Sequence, residues 1–441
     1  MTFRRIQRMV QPTPENSTQK ERRGMREERT DVLVVGAGPV GLLTAILLAE
    51  AGIEARIIDR EERTAARSYA CALHPRTLRL LERLGLAAPI VERGRRVEKL
   101  AFYDGPSRQA EVKLSGLGGP FPFMVILPQN VFEDVLEQRL RKAGIAVNWR
   151  HRFNDLQSDA GSVVATVEEL GATGTGYIVP HWETVVQRTF PIRAQFLVGA
   201  DGHGSLVRQR LGIEHTCVAG PEFFAAYEFE PGEEVENEVR VVLDQSTTNA
   251  LWPLPGNRYR WTYQLLKSDM ANEFPEKERR GVRFAEKAVD ERIRQYVEKV
   301  AKQRAPWFAA GVEEITWCTE VVFEQRVVKQ FGRDRCWLVG DAAHQTGPVG
   351  VQSMNVGMAE AEALAGALRR VLREKATLNL LETCDREWQA EWRRLLGLTG
   401  GLKPRNETSP WVRERRARLL PCLPASHEDL APLAGQLRLD F

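Results

Sequence analysis

The stretch Asp31-Val32-Leu33-Val34-Val35-Gly36-Ala37-Gly38-Pro39-Val40-Gly41, continued by Leu42-Leu43-Thr44-Ala45-Ile46-Leu47-Leu48-Ala49, decides the fold. An apolar strand enters a glycine turn, the turn opens a helix, and a second strand, Ala55-Arg56-Ile57-Ile58, ends on Asp59. Gly-x-Gly-x-x-Gly in this setting cradles the diphosphate of a dinucleotide. Gly36 permits the tight turn, Gly38 lets the backbone approach the pyrophosphate, and Gly41 lets helix and strand pack closely. Pro39 suits the first helical turn, where no amide hydrogen is needed. The free amides of that helix end attract phosphate charge. Asp59 lies 18 residues beyond Gly41, a distance that suits hydrogen bonding to ribose hydroxyls.

Hydropathy alone offers another reading. Val32 to Ala49 is an 18-residue run without a charge behind an Arg-rich N-terminus, the pattern of a membrane span or signal anchor. Three glycines and a proline inside it argue against one straight lipid-embedded helix. Beyond Gly52 comes a short strand, not a stop-transfer pattern. A soluble nucleotide fold is the expectation.

The bulk numbers agree. A chain of 441 residues can bury a large core and should divide into two or more domains. With 43% apolar and 27% charged residues, the composition is globular, not disordered. The net charge of +3, from 62 basic and 59 acidic residues, calls for no nucleic-acid partner. Six scattered cysteines without a Cys-x-x-Cys pair indicate neither a zinc site nor a disulfide framework, which fits a reducing cytoplasm. The seven histidines show no metal-ligand spacing, so no metal is assigned. Residues 1–29 mix seven arginines with acids and prolines and bury too little apolar surface to offset ordering, so a flexible basic tail is expected. Met25 is an alternative start within it.

Two further elements resemble nucleotide-binding loops. Ala194-Gln195-Phe196-Leu197-Val198-Gly199-Ala200-Asp201-Gly202 is an apolar strand ending in a small-residue turn, and His203 to Arg208 opens a helix. Cys336-Trp337-Leu338-Val339-Gly340-Asp341-Ala342-Ala343-His344 repeats the pattern, followed by Gln345-Thr346-Gly347-Pro348-Val349-Gly350 and a helix from about Gln352 to Leu372. Each aspartate is either a ligand for sugar or ribityl hydroxyls or a helix N-cap. In this order the three motifs resemble the single-component (group A) FAD-dependent aromatic monooxygenases of the para-hydroxybenzoate hydroxylase type, over roughly residues 31 to 375.

That resemblance implies FAD as cofactor and NADPH or NADH as transient reductant. It implies that Gly36, Gly38, Pro39, Gly41 and Asp59 hold the ADP half, and that Arg67 and Gln129 contact the cofactor. Gln129 is equally a cap for a helix over Val131 to Ala143. Asp201 and Arg208 would serve FAD and the nicotinamide, and Asp341 the ribityl chain. Pro348, Gly350, Met354 and Asn355 would line the flavin edge, where a helix N-terminus stabilises negative charge on reduced flavin. The usual run after the proline is glycine-rich, whereas this chain has Gly350-Val351-Gln352-Ser353-Met354-Asn355. Val351 and Ser353 are therefore expected to displace the loop and hinder flavin movement. Glu360 stands where an aspartate is common.

The implied architecture is α/β: a discontinuous Rossmann-like FAD domain (30–96, 127–218 and 326–375), an inserted antiparallel β-rich substrate domain (97–126 and 219–325) and a C-terminal helical region (376–441). Period-2 stretches at Phe223–Phe229, Val239–Leu243 and Arg258–Tyr263 read as strands, with a helix near Lys277 to Lys302. Trp252-Pro253-Leu254-Pro255 resembles a strand-edge segment lining a ring pocket. Tyr227, Trp252 and Tyr263 are candidates to contact an aromatic substrate, or simply sheet packing. A base for a phenol is sought among His203, His215, Tyr227 and Tyr259. Arg413, Arg415, Arg416 and Arg418 offer either a weak contact with anionic lipid or a solvated helix face.

The function implied is NAD(P)H- and O2-dependent hydroxylation or epoxidation of an aromatic or polyketide-like molecule through a flavin C4a-hydroperoxide. No protein nucleophile is required, and catalytic side chains stay unassigned. The rivals are an FAD-dependent reductase or dehydrogenase of a lipid-like substrate and a non-catalytic flavin-binding protein. The chain is expected to end too soon for the thioredoxin-like domain of some larger relatives.

Overall fold

The computed structural model describes residues 28–65, 72–175, 181–233, 235–266 and 291–441. The chain begins with β1 (Glu28–Val35), α1 (Pro39–Glu50), β2 (Ala55–Ile58), β3 (Ala72–Leu73), α2 (Pro75–Arg83), α3 (Ala87–Arg93) and β4 (Arg95–Val97). It continues through β5 (Lys99–Asp104), β6 (Ser107–Lys113), β7 (Met124–Ile126), α4 (Gln129–Lys142), β8 (Val147–Asn148), β9 (His151–Ser158), β10 (Val163–Thr175) and β11 (His181–Gly199). Then come α5 (Leu206–Arg210), β12 (His215–Glu230), β13 (Val239–Leu243), β14 (Thr248–Leu254), β15 (Arg258–Leu265), α6 (Glu291–Arg304) and β16 (Glu314–Val328). The last part holds β17 (Gly332–Arg333), β18 (Cys336–Leu338), β19 (His344–Gln345), α7 (Gln352–Glu374), α8 (Asn379–Leu395), α9 (Pro410–Leu419) and α10 (Leu430–Gln436).

Two large sheets divide the work. The first has the order β17-β18-β11-β1-β2-β8, with β10 and β9 continuing from β11. β1 pairs in parallel with β2 and with the C-terminal part of β11, and β11 pairs in parallel with β18. Val32, Leu33 and Val34 are fully buried, as expected of a parallel strand covered on both faces. The 18-residue uncharged run is thus a strand, a turn and a helix. Among the described residues, no helix is long and apolar enough to cross a membrane.

The parallel register sets the site. Because β1, β11 and β18 run side by side in one direction, the three glycine-containing turns that follow them leave the same end of the sheet. Ligands in open α/β sheets bind outside those carboxyl ends. The turns are also tied to one another: Ala200 N donates to Val35 O at 2.7 Å, Gly36 N to Ile58 O at 2.8 Å and Val339 N to Gly199 O at 3.0 Å.

The second sheet has the order β19-β16-β12-β15-β14-β13-β5-β6. Its members come from residues 99–113, 215–265 and 314–345, so it reaches slightly past the expected boundaries at 219 and 325. β14 lies between β13 and β15, which makes Trp252–Leu254 an internal segment instead of the strand edge anticipated from sequence. α6 covers one face of this sheet; Val297, Val300 and Ala301 pack there with Tyr227, Tyr259, Trp261 and Tyr263. The expected helix near Lys277–Lys302 is described only from Glu291; its first part, like the basic tail up to residue 27, lies outside the described residues. On the opposite face, Ala250, Trp252 and Leu254 join the core of the nucleotide half.

The C-terminal region is helical and is folded back on both halves. Arg415 Nη2 donates to Asp104 Oδ2 at 2.8 Å, and Arg418 Nη1 to Asp244 O at 2.6 Å. Only Arg413 and Arg416 of the basic run are exposed. A helix that presents two of its four arginines inward ties the C-terminal region to the second sheet more than it offers a basic surface.

Candidate functional site

The first turn is built for backbone approach. Gly36 has φ +105°, and a Cβ there would sit 2.3 Å from Ala200 O. A Cβ on Gly41 would lie 2.0 Å from Gly36 O, so both glycines are enforced by neighbouring backbone. A Cβ on Gly38 would meet nothing within 4 Å, which leaves that side open. Gly38 is the N-cap of α1 with Pro39 following, and no side chain caps the helix start. Half-exposed Asp59 accepts from Ala37 N at 2.6 Å through Oδ2 and from Glu61 N at 2.8 Å through Oδ1. The carboxylate is thereby fixed beside the turn with lone pairs still facing outward.

The second motif is held together by side-chain hydrogen bonds. Asp201 Oδ1 accepts from Ser205 Oγ at 2.6 Å, and Oδ2 from Leu206 N at 2.8 Å and Val207 N at 3.1 Å. Ser205 is the N-cap of α5, its Oγ accepting from Arg208 N at 3.0 Å, and Asp201 holds that hydroxyl and the next two amides; burial raises the Asp201 carboxyl pKa above the ordinary value against those hydrogen bonds. Arg208 donates to Ala342 O at 2.8 Å and His203 O at 2.9 Å, strapping the second turn to the third. Both residues, expected to serve FAD and the nicotinamide, brace these two turns through their side chains. Arg67 lies outside the described residues. Gln129 starts α4 and donates to Glu133 Oε1 at 2.8 Å, while Glu133 Oε2 accepts from Ala65 N at 2.7 Å.

The third motif closes over the first. A Cβ on Gly340 would lie 3.1 Å from Val40 Cγ2, and one on Gly357 only 2.8 Å from Gly340 Cα. α1, the Gly340 turn and α7 therefore meet at close range. Asp341 is exposed beside this contact and accepts from Ser353 Oγ at 2.5 Å. Ser353 Oγ also lies 3.3 Å from His344 Nδ1, and His344 Nε2 lies 2.9 Å from Glu360 Oε2. Glu360 further accepts from Gly340 N at 3.0 Å and from Trp392 Nε1 at 2.7 Å. Trp392 stacks on the His344 ring with centroids 3.8 Å apart. Ser353 and Glu360, read from sequence only as departures from the usual pattern, are the hub that holds Asp341.

The flavin-edge run has its own braces. Asn355 Oδ1 accepts from His74 N at 2.9 Å and Thr77 Oγ1 at 2.7 Å, and its Nδ2 donates to Ala72 O at 3.0 Å and Val351 O at 2.8 Å. Its side chain is saturated, so only backbone amides of this turn remain for a ligand. Val351, the N-cap of α7, sits at φ 50° and ψ 35° in the left-handed region, and no side chain caps the helix. His74 Nε2 lies 2.8 Å from Gly350 O; a carbonyl only accepts, so this nitrogen carries the hydrogen. Burial lowers the His74 pKa to about 4 against the opposing Gly350 hydrogen bond, which keeps the ring neutral. A Cβ on Gly350 would stand 2.2 Å from Pro421 O, so the C-terminal region presses directly on this loop. Pro348 and Met354 are half-buried along it.

Strand alternation corrects the substrate side. Successive residues of a strand point to opposite faces. Tyr227 and Tyr263 fall on the face covered by α6, away from the nucleotide half, and belong to the core there. They are packing residues. Tyr259 shares that face and donates to Val235 O at 2.8 Å. Trp252 alone of the three aromatic candidates is on the face turned to the nucleotide half. Of the base candidates, His203 is exposed on the second turn, and His215 is held neutral with a pKa of about 4 by burial and then by Arg208. Among the described residues, no hydrogen bond joins His203, His215 or Tyr259 to the Gly347–Gly350 loop.

The residues present fit FAD. An open glycine turn at an uncapped helix start suits a diphosphate, Asp59 suits a ribose and exposed Asp341 suits a polyol, all at one end of the parallel sheet. A family profile described as an FAD binding domain matches residues 29–397. The chain belongs to this FAD-binding family. Its relatives are group A flavoprotein monooxygenases of the para-hydroxybenzoate hydroxylase type. It is 30% identical over 370 residues to 6-methylpretetramide 4-monooxygenase of Streptomyces rimosus, covering 83% of this chain and 60% of that protein. It is 28% identical over 369 residues to pentachlorophenol 4-monooxygenase of Sphingobium chlorophenolicum, covering 81% of this chain and 61% of that one. The chain thus spans about three fifths of these two relatives. The fold is similar to that of p-nitrophenol 4-monooxygenase from Pseudomonas putida DLL-E4, with a TM-score of 0.70, 22% identity and coverage of 92% and 94%.

Proposed function

We propose that this flavoprotein is a monooxygenase that uses NAD(P)H and O2 to hydroxylate or epoxidise an aromatic or polyketide-like small molecule. The observation that carries the reading is the meeting of three sequence-distant turns at one end of the parallel sheet, with the substrate sheet facing them. The names of the relatives, among them enzymes for a pretetramide and a chlorinated phenol, support that substrate class. FAD, when bound, supplies the redox chemistry, taking two electrons from the nicotinamide and passing them to O2.

The chain's own residues divide the remaining work. The Gly38 turn and the α1 amides hold the diphosphate, Asp59 the adenosine ribose, and Asp341 the ribityl hydroxyls. Ser353, His344 and Glu360 fix the Asp341 carboxylate in place. The N-terminal amides of α7 offset negative charge near the loop at Gly350. The overall balance converts one ring C–H, O2, NAD(P)H and a proton into a ring C–OH, NAD(P)+ and water. The scattered cysteines support a reducing cytoplasm as the setting.

The test uses the yellow protein mixed in air with NADPH or NADH, with and without phenols, under labelled O2. Substrate-stimulated nicotinamide oxidation with label in the product is expected. Oxidation with no label would move the protein to the reductases. No oxidation with either nicotinamide would leave a flavin-binding protein without this activity.

A further inference from the structure

The face of the substrate sheet turned to the nucleotide half carries one ordered arrangement. Cross-strand register places Thr319, Ala226, Thr262 and Ala250 in a row across β16, β12, β15 and β14. On one side of this row of small residues lie Trp317, Glu228, Arg260 and Trp252; on the other lie Val321, Phe224, Gln264 and Thr248. Glu228 and Arg260 neutralise each other as a buried pair. Thr319 Oγ1 and Trp317 Nε1 are buried on this face without a hydrogen-bond partner. A row of small residues flanked by aromatic ones, with polar atoms to satisfy, suits a flat ring bearing oxygen.

One step beyond Phe224, on the same face, stands Glu222. A Cβ built on Gly347, next to Pro348, would be 3.9 Å from Glu222 Oε2. That atom is the one the side chain leaves free. Thr248 N donates to Gln264 Oε1 at 2.8 Å, which fixes the amide orientation, and Gln264 Nε2 donates to Glu222 Oε1 at 2.8 Å. No bond to Oε2 is present among the described residues. The carboxylate is half-buried between the sheet and the loop where the flavin edge is expected.

We propose that Glu222 is the acid–base residue of this site, its free Oε2 receiving the proton of a ring hydroxyl on a phenolic substrate held beside the Gly347–Gly350 loop. The inference rests on the monooxygenase reading and adds the substrate's anchoring group. As the ring carbon takes up oxygen, the hydroxyl proton moves to Oε2 and the O–H electron pair enters the ring. The ring C–H proton then leaves to solvent as aromaticity returns, Oε2 gives its proton back to the original oxygen, and Glu222 ends ionised. NAD(P)H and O2 supply the electrons and the oxygen atom.

The surroundings suit a proton acceptor that works near neutrality. Burial raises the Glu222 pKa above the ordinary carboxylate value, against the Gln264 hydrogen bond and the Arg418 guanidinium. The charged or titratable groups facing it are Arg418 of α9 and Cys422 just beyond. The Cys422 thiol, pushed up to about 12 by burial, stays neutral. Arg418 is bonded to Asp244 O and Thr248 Oγ1, at 2.6 and 3.1 Å, so its charge lies beside Glu222 without occupying Oε2.

The probe is 4-nitrophenol, whose ionised form is coloured, added to the FAD-loaded wild type and to Glu222→Gln and Glu222→Asp without nicotinamide. The glutamine is nearly isosteric and can still accept from Gln264. A carboxylate beside the phenol should raise its bound pKa by roughly one unit or more, Glu222→Gln should remove most of that shift, and Glu222→Asp should retain part. In turnover, Glu222→Gln should lower kcat/KM about 100-fold or more and abolish the acidic limb of its pH profile. An unchanged bound-phenol ionisation and pH profile in Glu222→Gln would overturn the assignment, as would failure of the yellow wild type to bind the phenol. A Glu222-dependent ionisation with no oxygen incorporation would instead sink the monooxygenase reading and leave the phenol site standing.

Discussion

His74 is 2% exposed and bonded to the Gly350 carbonyl, so folding takes a titratable ring out of water in its neutral form. Its folded pKa, about 4, lies below the ordinary 6.5. Above pH 6.5 neither folded nor unfolded chain protonates the ring; between 6.5 and 4 only the unfolded chain does, so stability falls with acidification. The full loss, on the order of 3 kcal/mol, is reached below pH 4. Urea midpoints across that window should sag in the wild type and sag less in His74→Gln; parallel curves would remove His74 as the cause. Val351 makes a second residue-scale claim. At φ 50° its β-branched side chain is strained by about 1–2 kcal/mol, a cost that glycine escapes and alanine keeps. Both Val351→Gly and Val351→Ala lose the same packing, yet the glycine variant should be the more stable by about 1 kcal/mol in denaturant titration. The opposite order would show that the left-handed turn is not strained.

The decisive element is α7, which carries a contact on one face and solvent on the other. A Cβ on Gly357 would come 2.8 Å from Gly340 Cα and 3.0 Å from Val40 Cγ2, whereas one on Gly366 meets nothing within 4 Å. Gly357→Val should wedge the helix from the first and third turns, cutting FAD affinity at least tenfold (about 1.4 kcal/mol) and lowering the melting point. Gly366→Ala should instead stabilise by about 0.5–1 kcal/mol through helix propensity, with FAD retained. Equal effects of the two changes, read by flavin absorbance after gel filtration and by thermal melts, would contradict the packing described. α9 illustrates the reverse lesson, for its arginines read as a basic surface in sequence, and only the packed sheet supplies Asp104 and Asp244 as their partners.

At the scale of the molecule, the nucleotide turns, part of the substrate sheet and the C-terminal helices share one apolar core. A ligand that binds the native turns should therefore stabilise the whole chain by linkage. Free FAD at a hundredfold excess over its Kd is expected to add about 2.7 kcal/mol in urea unfolding. Riboflavin, lacking the ADP half that the Gly38 turn and Asp59 are shaped to hold, should add far less at equal concentration. Equal stabilisation by the two would mean that the first turn does not take the diphosphate.

The nucleotide half was legible because its signals are local. A parallel strand buried on both faces must be apolar, a turn pressed against Ala200 must be glycine, and a helix aimed at a phosphate must start uncapped. Such constraints are written within a few consecutive residues, so the need for glycine at Gly36 and Gly41 could be read from the chain alone. Which face of a strand looks at the flavin is not written locally, because inward and outward positions of a doubly covered sheet are both apolar. Only the pairing of β12 with β15 and β16, and α6 on one side of them, sent Tyr227 and Tyr263 away from the site and turned Glu222 toward it. The same holds for Asn355 and Glu360, whose hydrogen-bond partners lie up to 283 and 32 residues away in sequence. Local chemistry wrote the nucleotide turns, and long-range register decided which side chains of the second sheet face them.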